Sequence, residues 1–451
     1  MGKMDQLLVT LSKWLCDRCH RLRLYTFVAG GLYLIAMTLM VVKISLTPVR
    51  FNFAFCDGKS YYLYIASAVV DGDLDFSNQM RQHWDDPLNP QDLEKELEIK
   101  TPRGYVWNKY PIGLSLTLLP SFLTAHGLSW VLYRFSGNLY LAPDGYSLLY
   151  QMFNVAMVLA LAWGTMALLD WLMARYLRLD GLAITVAILA VWLGSNYTYY
   201  CIRYLLMVHV ASTFWVTATI ALVMAAARAV KDQCLSPWHL PLLTFTFSMA
   251  VVCRPTNLFI LPFFIYLVVV LLQHGMPKSL LPWLPLIFLG LAPLFLQLAV
   301  WHRMYGSWIV FSYTDEPFFW THPALLQTLF SLRKGVFLWS PLLGLGTAGA
   351  MWAVIRGGEV WSKPLLTSYL LSFLLLWYVN SAWWNWWFGW SFGNRAFLEA
   401  LGLFVIGSAF VVQRGIQSSV HWRQVLLIII LACVVCNWLL MVAYDLKLVP
   451  R

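Results

Sequence analysis

From residue 25 to residue 444 the chain returns again and again to apolar runs: 25–47, 111–133, 146–172, 181–199, 205–227, 239–253, 257–273, 280–301, 335–355, 364–380, 396–412 and 424–444. Most are near the roughly 20 residues that carry a helix across hydrocarbon, and lipid offers the backbone no hydrogen-bond partner but its own. Runs such as Leu182 to Leu193 are apolar throughout except for Thr185, without the alternation of a membrane-spanning barrel. The expected fold is therefore an all-α polytopic membrane protein, a bundle of about 12 spans with a range of roughly 11 to 13. A net charge of +10 would suggest a nucleic-acid partner in a soluble protein, but this chain is 60% hydrophobic and 12% charged. Its bases fall mostly in short loops, where they set orientation, so membrane lipids and not nucleic acid are the expected surroundings.

Lys3, Lys13, Arg18, Arg21 and Arg23 precede a first run too long for a signal-peptide core, which is expected to be an uncleaved span leading outward. Leu448 to Arg451 matches the remnant of a thrombin-cleaved tag and is set aside. Cys16-Asp17-Arg18-Cys19-His20 spells a haem-attachment pattern on the side assigned to the cytoplasm, which excludes it, and Cys433 and Cys436 sit one turn apart in an apolar run, as packing residues do. Arg356, Lys363, Arg414 and Arg423 read as cytoplasmic, which puts the loops 302–332 and 381–395 outside with the first loop, 49–110. Seven runs separate 49–110 from 302–332, so one cannot be a simple crossing. Either the run interrupted by Pro120 is irregular, or the pair around Arg254 and Pro255 is one broken span. Residues 1–300 are expected to form a catalytic module and 301–447 a C-terminal membrane region.

Almost half of the chain's 21 acids gather in the first loop, where ten acids (Asp57, Asp71, Asp73, Asp75, Asp85, Asp86, Asp92, Glu94, Glu96, Glu98) face seven bases. Carboxylates beside a bilayer are costly unless they meet water, a partner or a substrate. Asp71-x-Asp73-x-Asp75 starts like a calcium loop, but Phe76 stands where that loop needs glycine and Gln82 where it needs glutamate. A turn closed by Asp and Gly is the simpler reading. Tyr61 to Val70 is aromatic, apolar and too short to cross, so it is expected to lie along the interface. Asp57 stands apart: next to Gly58 and after an aromatic approach, it could reach an acceptor hydroxyl as a general base.

Cations gather near the same face. Trp383 to Arg395 reads W-W-N-W-W-F-G-W-S-F-G-N-R. Its tryptophans suit an aromatic belt, but the spacing of Gly389, Gly393 and Arg395 suggests a backbone turned to present a guanidinium to a lipid phosphate. Arg254, between two apolar runs, and Lys109, opening the second, are similar candidates, with snorkelling or anchoring as the plainer alternatives. Arg333 and Lys334 precede G-V-F-L-W-S-P, as a structural cationic end or a headgroup contact.

Taken in order, the Asp after the first span, Y-Y-x-x-x-x-S with D-G-D-L-D-F-S-N beyond it, K-Y-P-I-G, R-P-T, Y-G-S at 305–307, K-G-V-F-L-W-S-P and G-W-S-F-G-N-R resemble the bacterial GT-C glycosyltransferases of the family 39 kind. These are related to the protein O-mannosyltransferases and the lipid A aminoarabinose transferases. The resemblance implies a GT-C-type bundle in the bacterial cytoplasmic membrane, with its site facing the periplasm or cell exterior. It also implies inverting transfer from a polyprenyl-phosphate sugar to a lipid, glycan or protein acceptor. Asp57 falls on the family's first-loop acid. Lys109, Arg254 and Arg395 are expected to hold the donor phosphate, and Tyr61, Tyr62, Tyr110 and Asn394 to line the substrate. Where many members carry Asp-Glu, this chain has Asp57-Gly58, so the second acid is left to Asp71, Asp73 or Glu316. The resemblance fixes no cofactor and leaves a divalent metal open. A polymerase or ligase using polyprenyl-diphosphate glycan, and a transporter of lipid-linked sugar, are the alternatives; the internal repeats usual in the latter are not visible.

Overall fold

A computed structural model describes residues 3–46, 57–83, 90–275, 282–356 and 363–449 of the chain. The aromatic approach to Asp57, the acids Asp85 and Asp86, and Pro450 and Arg451 of the tag-like tail lie outside the described residues. Among the described residues, regular structure is helical apart from isolated bridges between Lys100 and Val106 and between Phe318 and Trp383. The chain is an all-α polytopic membrane protein. By length and composition, seven described helices can cross a membrane: Asp17–Val42, Gly113–Ser136, Leu148–Arg175, His209–Lys231, Pro255–His274, Arg395–Ile416 and Val420–Asp445. Gly181–Leu193, His239–Cys253 and Pro341–Ile355 are shorter apolar helices beside them.

In chain order the α-helices are α1 (Lys3–Leu46), α2 (Asp57–Ala66), α3 (Ser77–His83), α4 (Pro90–Glu98), α5 (Gly113–Ser136), α6 (Leu148–Arg175), α7 (Gly181–Leu193), α8 (Tyr197–Ile202), α9 (His209–Lys231) and α10 (His239–Cys253). They continue with α11 (Leu261–His274), α12 (Leu286–Gly290), α13 (Ala292–Tyr305), α14 (Leu325–Phe330), α15 (Val336–Trp339), α16 (Pro341–Arg356), α17 (Lys363–Ala382), α18 (Leu401–Ile416) and α19 (Val420–Asp445). Two 3-10 helices, Pro255–Ile260 and Arg395–Ala400, lead into α11 and α18.

A few contacts set the direction of the central helices. Arg254 follows α10 and lies 3.3 Å from His209, the first residue of α9. At the other end Gln233, just past α9, donates to the His274 carbonyl that closes α11 (3.2 Å). So α9, α10 and α11 are three separate passes, and the chain is not bent into a single span at Pro255. Helix α6 runs parallel to α9, with Gly164 against Phe214 and Tyr176 within reach of the charges of Arg228 and Asp232. Helix α5 starts at Gly113 against Cys253, then runs antiparallel to the first part of α6 through Ser121 with Asn154 (2.8 Å) and His126 with Tyr150 (2.6 Å). It therefore rises from the middle of the bundle to the end where α6 begins. The loop at 302–332 meets the first loop directly, where Tyr305 donates to the Asn108 carbonyl. The run containing Pro120 is one continuous helix, Gly113–Ser136.

Helix α2 departs from the expectation of an interfacial helix. Gly58, Lys59 and Tyr61 to Ala66 are buried, because Tyr61-Tyr62-Leu63-Tyr64-Ile65-Ala66 has no polar face to turn to water. Ser115 Oγ of α5 donates to the Tyr61 carbonyl (2.7 Å) and accepts from the Ile65 amide (3.1 Å), pinning α2 inside the bundle. The close approach behind it depends on Gly113, where a Cβ would run into the backbone of Val252 and Cys253. Gly113→Ala is expected to cost about 1–3 kcal/mol, because backbone cannot move aside as a side chain can. Thermal melting of the purified variant in detergent reads this, and an unchanged melting temperature would mean that α5 shifts freely against α10.

Candidate functional site

The chain between Trp107 and Ile112 is held on both sides, and this places Lys109 and Tyr110. Trp107 Nε1 donates to the Ser312 carbonyl (3.2 Å), Ser312 Oγ to the Lys109 carbonyl (2.6 Å) and Tyr305 to the Asn108 carbonyl (2.6 Å). Asn108 Nδ2 in turn donates to the Ser60 carbonyl in α2 (2.8 Å). The Tyr110 ring packs at a tilt on Tyr61 of α2, with centroids 4.5 Å apart. The first loop and the loop at 302–332 thus form one wall.

The aromatic tract completes the site, joined to the loop at 302–332 by the Phe318–Trp383 bridge. Phe388, Gly389 and Gly393 adopt positive φ (57°, 62° and 61°), so the chain doubles back between Trp383 and Arg395. Asn394 builds this turn: its Oδ1 accepts from the Ala396 amide (3.3 Å), its Nδ2 donates to the Trp386 carbonyl (3.1 Å), and its own carbonyl accepts from Asn196 Nδ2 (3.2 Å). The result presents Arg395 to Asp57, with Nη2 2.6 Å from Oδ2. Asp57 is the first residue of α2, where the positive end of the helix favours a carboxylate. Its side chain keeps 30% of its exposure, so a solute can reach it. Burial pushes this carboxyl up, but Arg395, the donating Tyr110 hydroxyl and Lys109 outweigh it and hold the group below the usual aspartate value.

Two further ion pairs flank the first. Lys109 pairs with Glu316, whose other oxygen accepts from Trp384 Nε1 (3.3 Å). Arg254 is aimed by local sequence: the residue before a proline avoids the helical region, so α10 ends there with Arg254 extended (φ −152°, ψ 123°). Its Nη1 donates to Glu399 Oε1 (3.1 Å), which also accepts from His209 Nδ1 (2.8 Å). One 3-10 helix therefore supplies both the cation for Asp57 and the anion for Arg254. Tyr313 stands among these groups, its hydroxyl pushed up by burial, with Arg254, Asp57, Glu316 and Arg395 all close enough to bear on it.

Of the residues singled out in the sequence, the structure brings together Asp57, Lys109, Arg254, Arg395, Glu316, Tyr61 and Tyr110. Asn394 is a buried turn residue behind them. Tyr62 points away, donating to the Gly145 carbonyl (2.6 Å) and accepting from Asn154 (3.1 Å). Asp71 and Asp73 lie beyond the far end of α2, about 20 Å along it from Asp57. There Asp71 accepts from Gln79 (2.5 Å) and Asp73 from Ser67 (2.8 Å) and the Asp75 amide (3.0 Å), closing the turn. Packing explains the small residue beside Asp57, since a Cβ on Gly58 would lie 2.8 Å from the Leu206 carbonyl oxygen. Glu399, His209 and Tyr313 were missed. The first two are single ionisable groups within apolar runs, a signal the sequence does carry. No group of three His, Cys, Asp or Glu among the described residues is arranged to hold a metal ion.

No family model matches the chain, and no curated protein does. A similar solved structure is that of the archaeal oligosaccharyltransferase AglB from Archaeoglobus fulgidus, in complex with an inhibitory peptide and a dolichol-phosphate. The TM-score is 0.47 at 11% identity, over 92% of this chain and 55% of that one, so the chain spans about half the length of AglB. At that score the likeness carries no inference about activity.

Proposed function

We propose that this chain is a membrane-embedded GT-C glycosyltransferase, moving a sugar with inversion from a polyprenyl-phosphate donor to a hydroxyl of a lipid, glycan or protein acceptor. The reading places it in the bacterial cytoplasmic membrane with the site on the extracytoplasmic side. The observation that carries it is the Asp57–Arg395 pair, an accessible carboxylate held ionised beside a guanidinium, with Lys109 and Arg254 nearby. In the reaction the acceptor oxygen bonds to the anomeric carbon as the bond from that carbon to the phosphate oxygen breaks. The electron pair leaves with the lipid phosphate, and the acceptor proton passes to Asp57. Cations beside the leaving oxygens favour the charge that develops there.

The ion pairs leave room for this work. Arg395 uses Nη2 and Arg254 uses Nη1, while their remaining nitrogens can bond an anion. A donor phosphate would compete with Asp57 for Arg395, so the carboxylate would regain basicity as the donor seats. The site draws on both sides of residue 300, since Arg395 and Glu399 come from the C-terminal region. Arg395→Ala is expected to weaken binding of a polyprenyl-phosphate sugar by about tenfold or more. Retention of radiolabelled donor on the purified protein measures this, and undiminished affinity would return Arg395 to a structural role.

A further inference from the structure

Three carboxylates and three bases pair off in the site, Asp57 with Arg395, Glu316 with Lys109 and Glu399 with Arg254. A fourth base has no such partner. Lys334 is 1% exposed, and its ammonium donates to the Ser391 carbonyl between the rings of Trp339 and Tyr444, each 4.8 Å away. No carboxylate pairs with it among the described residues. A buried charge with no counter-ion is destabilising, and two rings and one carbonyl offset only part of the cost. Lys334 also lies against the tract that carries Arg395: Ser391 belongs to that tract, and Gly393 packs on the Trp339 side chain.

We propose that Lys334 is a phosphate-binding residue of this site, its ammonium taking the phosphate of a lipid-linked substrate as its missing counter-ion. The proposal rests on the glycosyltransferase reading for its location but not for its test. The groups facing Lys334 are Arg333 beside it, Arg395 and the Ser391 carbonyl on the tract, Trp339 of α15 and Tyr444 of α19. Burial, then the like charges of Arg333 and Arg395, bring the ammonium down to about 8. An arriving anion favours the charged form, so binding draws a proton onto Lys334 and weakens as the pH rises.

Binding of polyprenyl phosphate and of inorganic phosphate to the full chain in neutral detergent tests this, with wild type and Lys334→Met compared. The expected result is that polyprenyl phosphate binds more tightly than inorganic phosphate, and that Lys334→Met weakens it about tenfold or more. Wild-type affinity should also fall between about pH 7 and about pH 9, and the variant's should not. Lys334→Met removes a buried unpaired charge and keeps an apolar chain of similar length, so it is expected to melt no lower than wild type. Equal affinity in the two proteins, or a wild-type affinity flat across that pH range, overturns the proposal, and the second measurement needs no variant. Inorganic phosphate binding as tightly as the lipid overturns the lipid assignment. Lys334-dependent binding in a protein that moves no sugar would count against the transferase reading alone.

Discussion

Asp57→Asn is expected to lower sugar transfer by a factor of about 10² to 10⁴ while leaving a folded protein that still binds donor. The amide keeps the shape of the carboxylate and can still accept from Arg395, so the wall between α2 and the aromatic tract should survive. It cannot take up the acceptor proton. The Arg395 side chain is 16% exposed and that of Asp57 30%, so losing the charge of the pair while keeping an amide acceptor should cost about 1–3 kcal/mol of stability. The sign of the pH effect follows from the depressed carboxyl. A group whose folded pKa is lowered contributes stability above its unfolded value and loses it as pH falls through the folded one. Asp57 is therefore ionised throughout the neutral range, and no loss of wild-type activity between about pH 8 and about pH 5 should trace to its protonation. Initial rates of label transfer, with gel filtration for folding, check this. Full activity in Asp57→Asn would remove the residue from the mechanism.

Glu399→Gln is expected to have the largest effect on stability, about 3–5 kcal/mol, because it leaves the Arg254 guanidinium in the bundle without its anion. The Glu399 side chain is 1% exposed and that of Arg254 14%, so water can replace the lost carboxylate only in part. His209, which donates to the same carboxylate, keeps only a neutral amide oxygen to bond. Replacing both Arg254 and Glu399 by methionine should recover much of the stability, since it is the stranded charge that destabilises. Melting curves in detergent for the single and double variants separate the effects. A loss below about 1 kcal/mol in the single variant would mean that Arg254 turns out to solvent.

The fold class was legible because lipid allows little else: long apolar runs without alternation become helices. How the helices sit against one another was harder, since length and hydropathy do not tell that α5 begins halfway along α6, placed by Gly113 against α10. Asp57, Lys109 and Arg395 could be picked out because charge is rare beside these runs. Which carboxylate meets which base was not legible, because the partners of Asp57 and Lys109 lie 338 and 207 residues away in sequence. Tyr62 and Asn394 show the opposite failure: a polar group within a motif can serve the turn or helix that displays the site. Lys334 reads in the sequence as the cationic end of a span, and only packing shows that it is buried.

The most direct test of the account is transfer in proteoliposomes, with radiolabelled polyprenyl-phosphate sugar as donor and a membrane extract as the source of acceptor. The account predicts that label leaves the donor lipid for a new product with wild type and not with Asp57→Asn, and that the new bond has the opposite anomeric configuration to the donor. Wild-type protein that leaves the donor intact but carries it across the bilayer would contradict the account and make this chain a transporter.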